Sequence, residues 1–389
     1  MALNFHQIST IVNDSVKQAW GEAALSTINM ENIVALGDKV MSSKLDTELW
    51  LNALTNRIGN TVIGIRPYEG DKYDLVVKPM EFGSTLQKVV IVPPKSIDSL
   101  AYPPNTEDGS QLNFGPISKP EVKQYLFESI TNRMYLMTFE NDQLYTAFTN
   151  ADTMGMFISG IYIALETAVA AGKEATKTLA VANFIAEKIK AEQDPNISGI
   201  HAVNLLTGYN ATVTTPITAD DALKDAGFLK FWAYETERYK ERLGKITEIY
   251  NTQDIPRHTS PDRLKFYVLS DAAAAATAYL EADTYHNELV KLPGYKRILY
   301  WQGLGENATF DEVSTVDLNV SSDGTKITQS GILGVMFDEE AVGVMFHYDK
   351  AESFYNPAQR LTQNYRDIQE GYFNDLSENG IVFYIADET

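Results

Sequence analysis

Residues 332–347 read Ile332-Leu333-Gly334-Val335-Met336-Phe337-Asp338-Glu339-Glu340-Ala341-Val342-Gly343-Val344-Met345-Phe346-His347. Two apolar runs, Ile332–Phe337 and Ala341–His347, flank a short acidic link, the pattern of buried strands joined by a turn. An Asn/Gln/Tyr-rich stretch, Asn356–Tyr372, follows, and a last apolar run, Gly380–Ile385, predicts a closing strand. A strand this late completes a sheet begun hundreds of residues earlier, which makes its domain discontinuous.

Upstream, residues 1–56 carry helical spacing in two pieces, Ile8–Trp20 and Lys39–Leu54, and predict an arm. Thr61–Ile65 reads as a strand. The segment Pro67–Pro120 holds eight of the fourteen prolines, with pairs at Pro93-Pro94 and Pro103-Pro104. Within it Tyr73–Val77 and Leu86–Val92 read as strands. Proline-rich flanks forbid helix and disfavour central strands, so this stretch predicts a two-stranded excursion with little core of its own, held by a neighbour in the same chain or another.

Met134–Phe139 and Asp142–Phe148 alternate as strands, and Asp152 opens a helical run to Lys190. Met154, Ile158, Ile161, Leu165 and Val169, then Leu179, Ala182, Ile185 and Ile189, recur at three- and four-residue steps and paint one apolar face. Unbroken, the helix would be roughly 58 Å long; Gly155, Gly160 and Gly172 are where it would break. Asp194-Pro195 stops it. A strand at Ile200–Leu206 and a helix over Ala219–Leu243 follow. Leu264–Leu269, Asp271–Leu280 with Tyr285–Val290, and Lys296–Trp301 then read as strand, helix and strand, one β-α-β unit.

The chain has 389 residues, 44% of them hydrophobic, enough for two or three soluble domains. Its 52 acidic against 32 basic residues give a net charge of −20, which opposes intimate contact with a nucleic-acid backbone or an anionic membrane. The absence of cysteine excludes disulfides, thiolate metal sites and a cysteine nucleophile, and suits a reducing compartment. Met1-Ala2-Leu3-Asn4-Phe5-His6-Gln7 lacks the basic and apolar parts of a signal peptide, and no apolar run approaches the ~18 residues of a membrane span, so a soluble, unsecreted protein is expected.

Catalytic signals are sparse. Gly303-Leu304-Gly305-Glu306-Asn307-Ala308 follows a predicted strand as a dinucleotide fingerprint would. Yet Thr309–Val320 alternates like a strand where phosphate capture needs a helix N-terminus, so the stretch reads as a glycine turn. The five histidines are scattered; His286 near Asp283 and Glu288 fits an exposed helical face better than a metal site, which needs three or four convergent ligands. Asp338-Glu339-Glu340 reads as a turn capped in solvent rather than an acid/base pair. With no nucleophile elbow, P-loop or His-Glu-x-x-His, no enzyme, cofactor or metal is expected. Many of the 21 tyrosines fall in Tyr295–Trp301 and Phe346–Tyr372, where aromatics mark contact surfaces or core margins. Lys44, Arg57, Arg66, Lys72, Lys78 and Lys88 stand on an acidic molecule and suit acidic patches on a copy of the same chain, or else keep strand edges solvated. The candidate interface residues are Arg57, Arg66, Lys72, Lys78, Lys88, Tyr295, Tyr300 and Trp301.

This order of elements resembles that of tailed-bacteriophage major capsid proteins of the Hong Kong 97 fold, over nearly the whole chain. Leu54-Thr55-Asn56-Arg57-Ile58-Gly59 with Val62-Ile63 looks like the join of arm and extended loop in small short-tailed phages with protein-primed replication. Asp142-Gln143-Leu144-Tyr145-Thr146-Ala147-Phe148 and Phe157-Ile158-Ser159-Gly160-Ile161-Tyr162 are similar to that group's approach to the spine helix. Residues 263–301 look like the axial domain, and Tyr372 with Gly380-Ile381-Val382-Phe383 like the returning strand.

The resemblance implies an α+β chain with an N-terminal arm (1–56), an extended β-hairpin loop (57–130) and a peripheral domain (131–260) with a spine helix at about 152–190. An axial mixed α/β domain (261–350) and a peripheral return strand (351–389) complete it. It implies a virion shell subunit, assembled in the host cytoplasm into pentamers and hexamers of an icosahedral head that encloses double-stranded DNA, touched only non-specifically. In such shells the extended loop overlies a neighbouring subunit. The long N-terminal extension that some members use as a scaffold is not expected here, and a separate scaffolding protein is expected beside a portal. No lysine–asparagine cross-link can be matched, and no fused immunoglobulin-like domain is expected. The alternatives are an encapsulin-type nanocompartment shell, a soluble enzyme with an unrecognised carboxylate site, and a surface-layer protein, which would want a secretion signal.

Overall fold

The computed structural model describes residues 5–21, 33–43, 45–54, 73–80, 85–94, 120–140, 151–282, 292, 294–302, 309–359 and 361–387. Its helices are α1 (Phe5–Trp20), α2 (Ile33–Val40), α3 (45–54), α4 (Ala151–Gln193), α5 (Leu205–Asn210), α6 (Ala219–Ala222), α7 (Ala226–Leu243), α8 (Ser270–Ala282) and α9 (Phe310–Val313). The strands are β1 (Val76–Pro79), β2 (Leu86–Ile91), β3 (Val122–Phe127), β4 (Thr131–Glu140), β5 (Ala202–Asn204), β6 (Leu264–Leu269) and β7 (Lys296–Ile298), then β8 (Val316–Asn319), β9 (Lys326–Gln329), β10 (Ile332–Asp338), β11 (Val342–Asn356), β12 (Leu361–Asn374) and β13 (Gly380–Tyr384). Two compact units result, and both are discontinuous: Met1–Ser84 with Ser129–Ala180 and Gly343–Tyr372, and Thr85–Glu128 with Val181–Val342 and Phe373–Thr389.

In the first unit the amphipathic arm is built into a core. Ile11, Val12 and Val16 of α1, Leu36 and Val40 of α2, and Trp50, Leu51 and Leu54 of α3 pack with Met154, Ile158, Ile161, Leu165 and Val169 of α4 and with Phe139 and Ile368 of the sheet. Ser43 opens α3: its hydroxyl receives the Asp46 N–H at 3.1 Å and donates to the Asp46 carboxylate, which also accepts from the Trp20 indole at 2.7 Å. The sheet runs β1-β11-β12-β4, with β1 parallel to β11 and β12 antiparallel to β4 over ten residue pairs. The sequence paired Tyr73–Val77 with Leu86–Val92 as the excursion. Instead β1 is an edge strand of this sheet, where Pro79 lacks no needed donor, and β2 pairs with β3.

The second unit is organised on β10, whose seven residues are all buried, in the order β5-β13-β10-β6-β7. A strand covered on both faces reads as a continuous apolar run, which is why this stretch was so legible. β6, α8 and β7 form the expected β-α-β unit with parallel strands. β13 pairs with β10 and β5. A segment as apolar as Gly380-Ile381-Val382-Phe383 takes a central place in this unit's sheet, between a strand of the 131–260 stretch and one of the 261–350 stretch.

Other corrections come from caps. Within Ile200–Leu206 only Ala202–Asn204 is strand, because the Asn204 side chain accepts from the Leu206 N–H at 3.1 Å and starts α5. The predicted Ala219–Leu243 helix is two helices, since Asp225 accepts from the Phe228 N–H at 2.6 Å and begins α7 afresh. Thr309–Val320 is a turn of helix, α9, before β8, and β7 ends at Ile298. α4 runs unbroken through Gly155, Gly160 and Gly172. Thr61–Ile65, Asp142–Phe148, Tyr285–Val290 and Gly303–Ala308 lie outside the described residues.

Candidate functional site

The β2–β3 ribbon is the first candidate surface. Antiparallel partners share a face and successive residues alternate, so Leu86, Lys88 and Val90 lie with Phe127, Tyr125 and Lys123 on one side, and Gln87, Val89 and Ile91 with Leu126, Gln124 and Val122 on the other. The first side is turned to its own unit. The Phe127 ring lies 5.7 Å from that of Phe373, Lys123 Nζ donates to the Gln253 carbonyl at 2.8 Å, and Lys88 Nζ donates to Asp375 and, at 2.6 Å, to Glu378. The second side is an aliphatic stripe in the open: Val89 is 55% exposed, Ile91 65%, Val122 57% and Leu126 57%.

The outward face of the four-stranded sheet is the second. Met134 and Leu136 of β4 are exposed there, in register with Asp367 and Tyr365 of β12. The Tyr365 ring stacks on Phe354 of β11 with centroids 5.5 Å apart, Tyr348 donates its hydroxyl to Asp367 at 3.0 Å, and the Lys350 ammonium lies 4.7 Å above the Tyr348 ring. The opposite face is enclosed, and beside the core residues Phe139 and Ile368 it holds polar pairs: Arg366 Nε donates to Asp349 at 2.8 Å, and Thr176 of α4 donates to Glu370 while accepting from Arg133 at 3.0 Å. Burial pulls the Lys173 ammonium below the usual lysine range, against the pull of Asp349 and Glu370.

The sequence-derived candidates scatter. Arg57, Arg66 and Lys72, with Lys44, lie outside the described residues. Lys78 is half-buried on β1, in register with Met345. Lys88 is engaged by its own chain. Tyr295 is half-buried against Phe266, centroids 6.2 Å apart, and accepts from Arg297 at 3.3 Å; Tyr300 is half-buried too. Trp301 is a correction: it is 0% exposed and its indole donates to the Ile332 carbonyl at 2.9 Å, so it belongs to the core. Asp338 is another, since the carboxylate expected in solvent is buried on Arg263 at 3.0 Å. The aliphatic stripe and the Met134/Leu136 face were missed. Their signal was present in β4, where Met134 and Leu136 are as apolar as Tyr135 and Met137, and a strand apolar on both sides needs cover on both.

Among the described residues no group of three His, Asp or Glu could hold a metal ion, and no helix is long and apolar enough to cross a membrane. Residues 8–384 match the family described as Phi29-like phage major capsid protein. No curated protein matches the chain. Among solved structures, the capsid of Staphylococcus phage Andhra superposes with a TM-score of 0.52 at 12% identity, covering 83% of this chain and 86% of that one. A chain from the structure of the head fiber and inner core protein gp22 of native bacteriophage P68 superposes with a TM-score of 0.50 at 11% identity, covering 81% and 84%. These likenesses show the α+β fold to be that of the Hong Kong 97-like phage capsids. With all but seven residues at one end and five at the other matched to the family, the chain belongs to the Phi29-like phage major capsid proteins, structural subunits of the phage head rather than enzymes.

Proposed function

We propose that copies of this chain associate into pentamers and hexamers that close an icosahedral head around double-stranded DNA, and that the outer face of the β2–β3 ribbon is one surface through which they do so. The observation that carries this is the stripe of Val89, Ile91, Val122 and Leu126, on an element too thin to cover that face itself. Full burial of each such side chain contributes roughly 1.5–3 kcal/mol, so even half-realised burial adds several kcal/mol at every contact. Obligate shells repeat that contact around each ring, which suits an interface larger than about 2,000 Å². The sheet face with Met134, Leu136, Tyr365 and Phe354 is a second surface of this kind, and Lys78, Tyr295, Tyr300, Arg57, Arg66 and Lys72 stay as further contact candidates.

The finer parts of the reading follow from the family and the charge. A net charge of −20 suits a container past which DNA slides without sticking. A separate scaffolding protein and a portal are the proposed partners, the host cytoplasm the place of assembly, and a short-tailed phage with protein-primed replication the source. The unit carrying most of α4 is the proposed peripheral domain and the unit with the β-α-β element the proposed axial domain.

Ile91→Asp with Val122→Lys tests the ribbon, since an opposite-charge pair at directly opposed positions of an exposed face leaves the fold alone but sets two charges against burial of the stripe. Such a chain is expected to melt within about 1 kcal/mol of the parent, as exposed substitutions do, and to form no shells under electron microscopy when expressed with the neighbouring genes. Shells at the parental yield would overturn the ribbon's role.

A further inference from the structure

We propose that Lys88 is the positioning residue of the ribbon: its ammonium, gripped by Asp375 and Glu378, fixes the direction in which β2–β3 leaves its unit and so where the stripe is presented. This rests on the reading of the stripe as an assembly surface. The lysine was expected on an interface between copies because it sits on an extended element of an acidic chain; the structure turns it inward instead.

The receiving site is held by bonds that do not involve the lysine. Asp375, Ser377, Glu378 and Asn379 form a buried turn between β12 and β13. Backbone bonds hold it on several sides: Asp375 N–H to the Ala341 carbonyl at 2.7 Å, Thr252 N–H to the Leu376 carbonyl at 3.1 Å, and Asp338 N–H to the Asn379 carbonyl at 3.0 Å. Ser377 satisfies one Asp375 oxygen through its N–H at 2.9 Å and its hydroxyl at 2.6 Å, which leaves Oδ2 for Lys88. Glu378 is shared between Lys88 at 2.6 Å and Arg257 at 3.2 Å. Two buried carboxylates are thus met by two cations, one of which comes from the ribbon. Burial pushes the Glu378 carboxyl up even so, against the pull of Lys88 and Arg257, so this turn tolerates the loss of either cation poorly.

The ribbon's other anchors are less directional. The tilted contact of Phe127 with Phe373 permits sliding, and Lys123 reaches one loop carbonyl. A two-carboxylate grip on an ammonium fixes a point in three dimensions, and hydrogen bonds to charged groups are the strong ones.

The chain has no cysteine, so Gln124→Cys on the exposed ribbon face and Glu241→Cys on the exposed end of α7 give one clean pair of spin labels. Their distance distribution, read by double electron–electron resonance on dilute unassembled full chain, is expected to be narrow in the parent and in Lys88→Arg and several-fold broader in Lys88→Met, whose shell yield falls at least tenfold. A Lys88→Met distribution as narrow as the parent's would overturn the proposal. Should Lys88→Met fail to fold, Lys88→Met with Asp375→Asn removes the stranded charge, since Glu378 keeps Arg257; broadening there supports the grip and a narrow distribution overturns it. A broadened ribbon with undiminished shells would leave the grip standing and overturn the assembly reading of the stripe.

Discussion

Lys188 of α4 is wholly enclosed, with its ammonium donating to the Tyr250 carbonyl at 2.8 Å and lying 5.5 Å from the Phe184 ring centre. Burial pulls its pKa from 10.5 to about 7, with Asp375 resisting. Between those values the unfolded chain holds a proton that the folded chain lacks, so this position adds stability as pH rises through the window and imposes its full cost below about 7. Lys188→Met, which keeps the length and removes the charge, is expected to stabilise the chain by about 1–3 kcal/mol at pH 6–7, with the gain gone by about pH 10.5. Thermal melts across that range check it, and a gain that persists undiminished at high pH would refute the titration. Trp301 makes the opposite case: Trp301→Ala is expected to cost about 3–5 kcal/mol in urea unfolding, the loss of a core aromatic, where an interface residue would cost the lone subunit little. A tryptophan has the same letter in a core as on a contact surface, which is why its place was not legible.

The longest elements could be read because their signals are internal to them. The three- and four-residue apolar steps of α4 and the continuous apolar run of β10 need no partner to be seen. What escaped depended on a partner: β1 found β11, some 270 positions on, and β3 found β2, so the excursion's true legs could not be chosen from local spacing. Alternation showed that β2 was a strand without showing which face its own unit would cover. Gly172 shows the same non-local control within α4, since a Cβ there would run into the Tyr135 hydroxyl and close on Arg133 Cδ at 3.2 Å. Alanine favours the helix by about 1 kcal/mol over glycine, but overpacking costs about 1–3 kcal/mol. Gly172→Ala is therefore expected to destabilise the chain, and Tyr135→Phe, by removing the obstructing oxygen, to cancel the loss in denaturant melts of the double variant.

At the scale of the molecule, both units are discontinuous, and the chain passes between them at residues 84/85, 128/129, 180/181, 342/343 and 372/373. That outline, α+β with a late returning strand, was visible from the sequence, and family membership makes the protein the major capsid protein of a phage head. The exposed apolar faces were less visible, because a sequence records which residues are apolar but not which ones the fold leaves uncovered. The basic residues singled out for contact include Lys88, which is spent inside the subunit, while the stripe beside it consists of ordinary strand-forming aliphatics. Cryo-electron microscopy of the particles made when the chain is expressed with its neighbouring genes tests the account most directly. It predicts closed shells of five- and six-membered rings in which Val89, Ile91, Val122 and Leu126 are buried against the next subunit. A monodisperse single subunit under every condition, or a shell with that stripe in solvent, would contradict it.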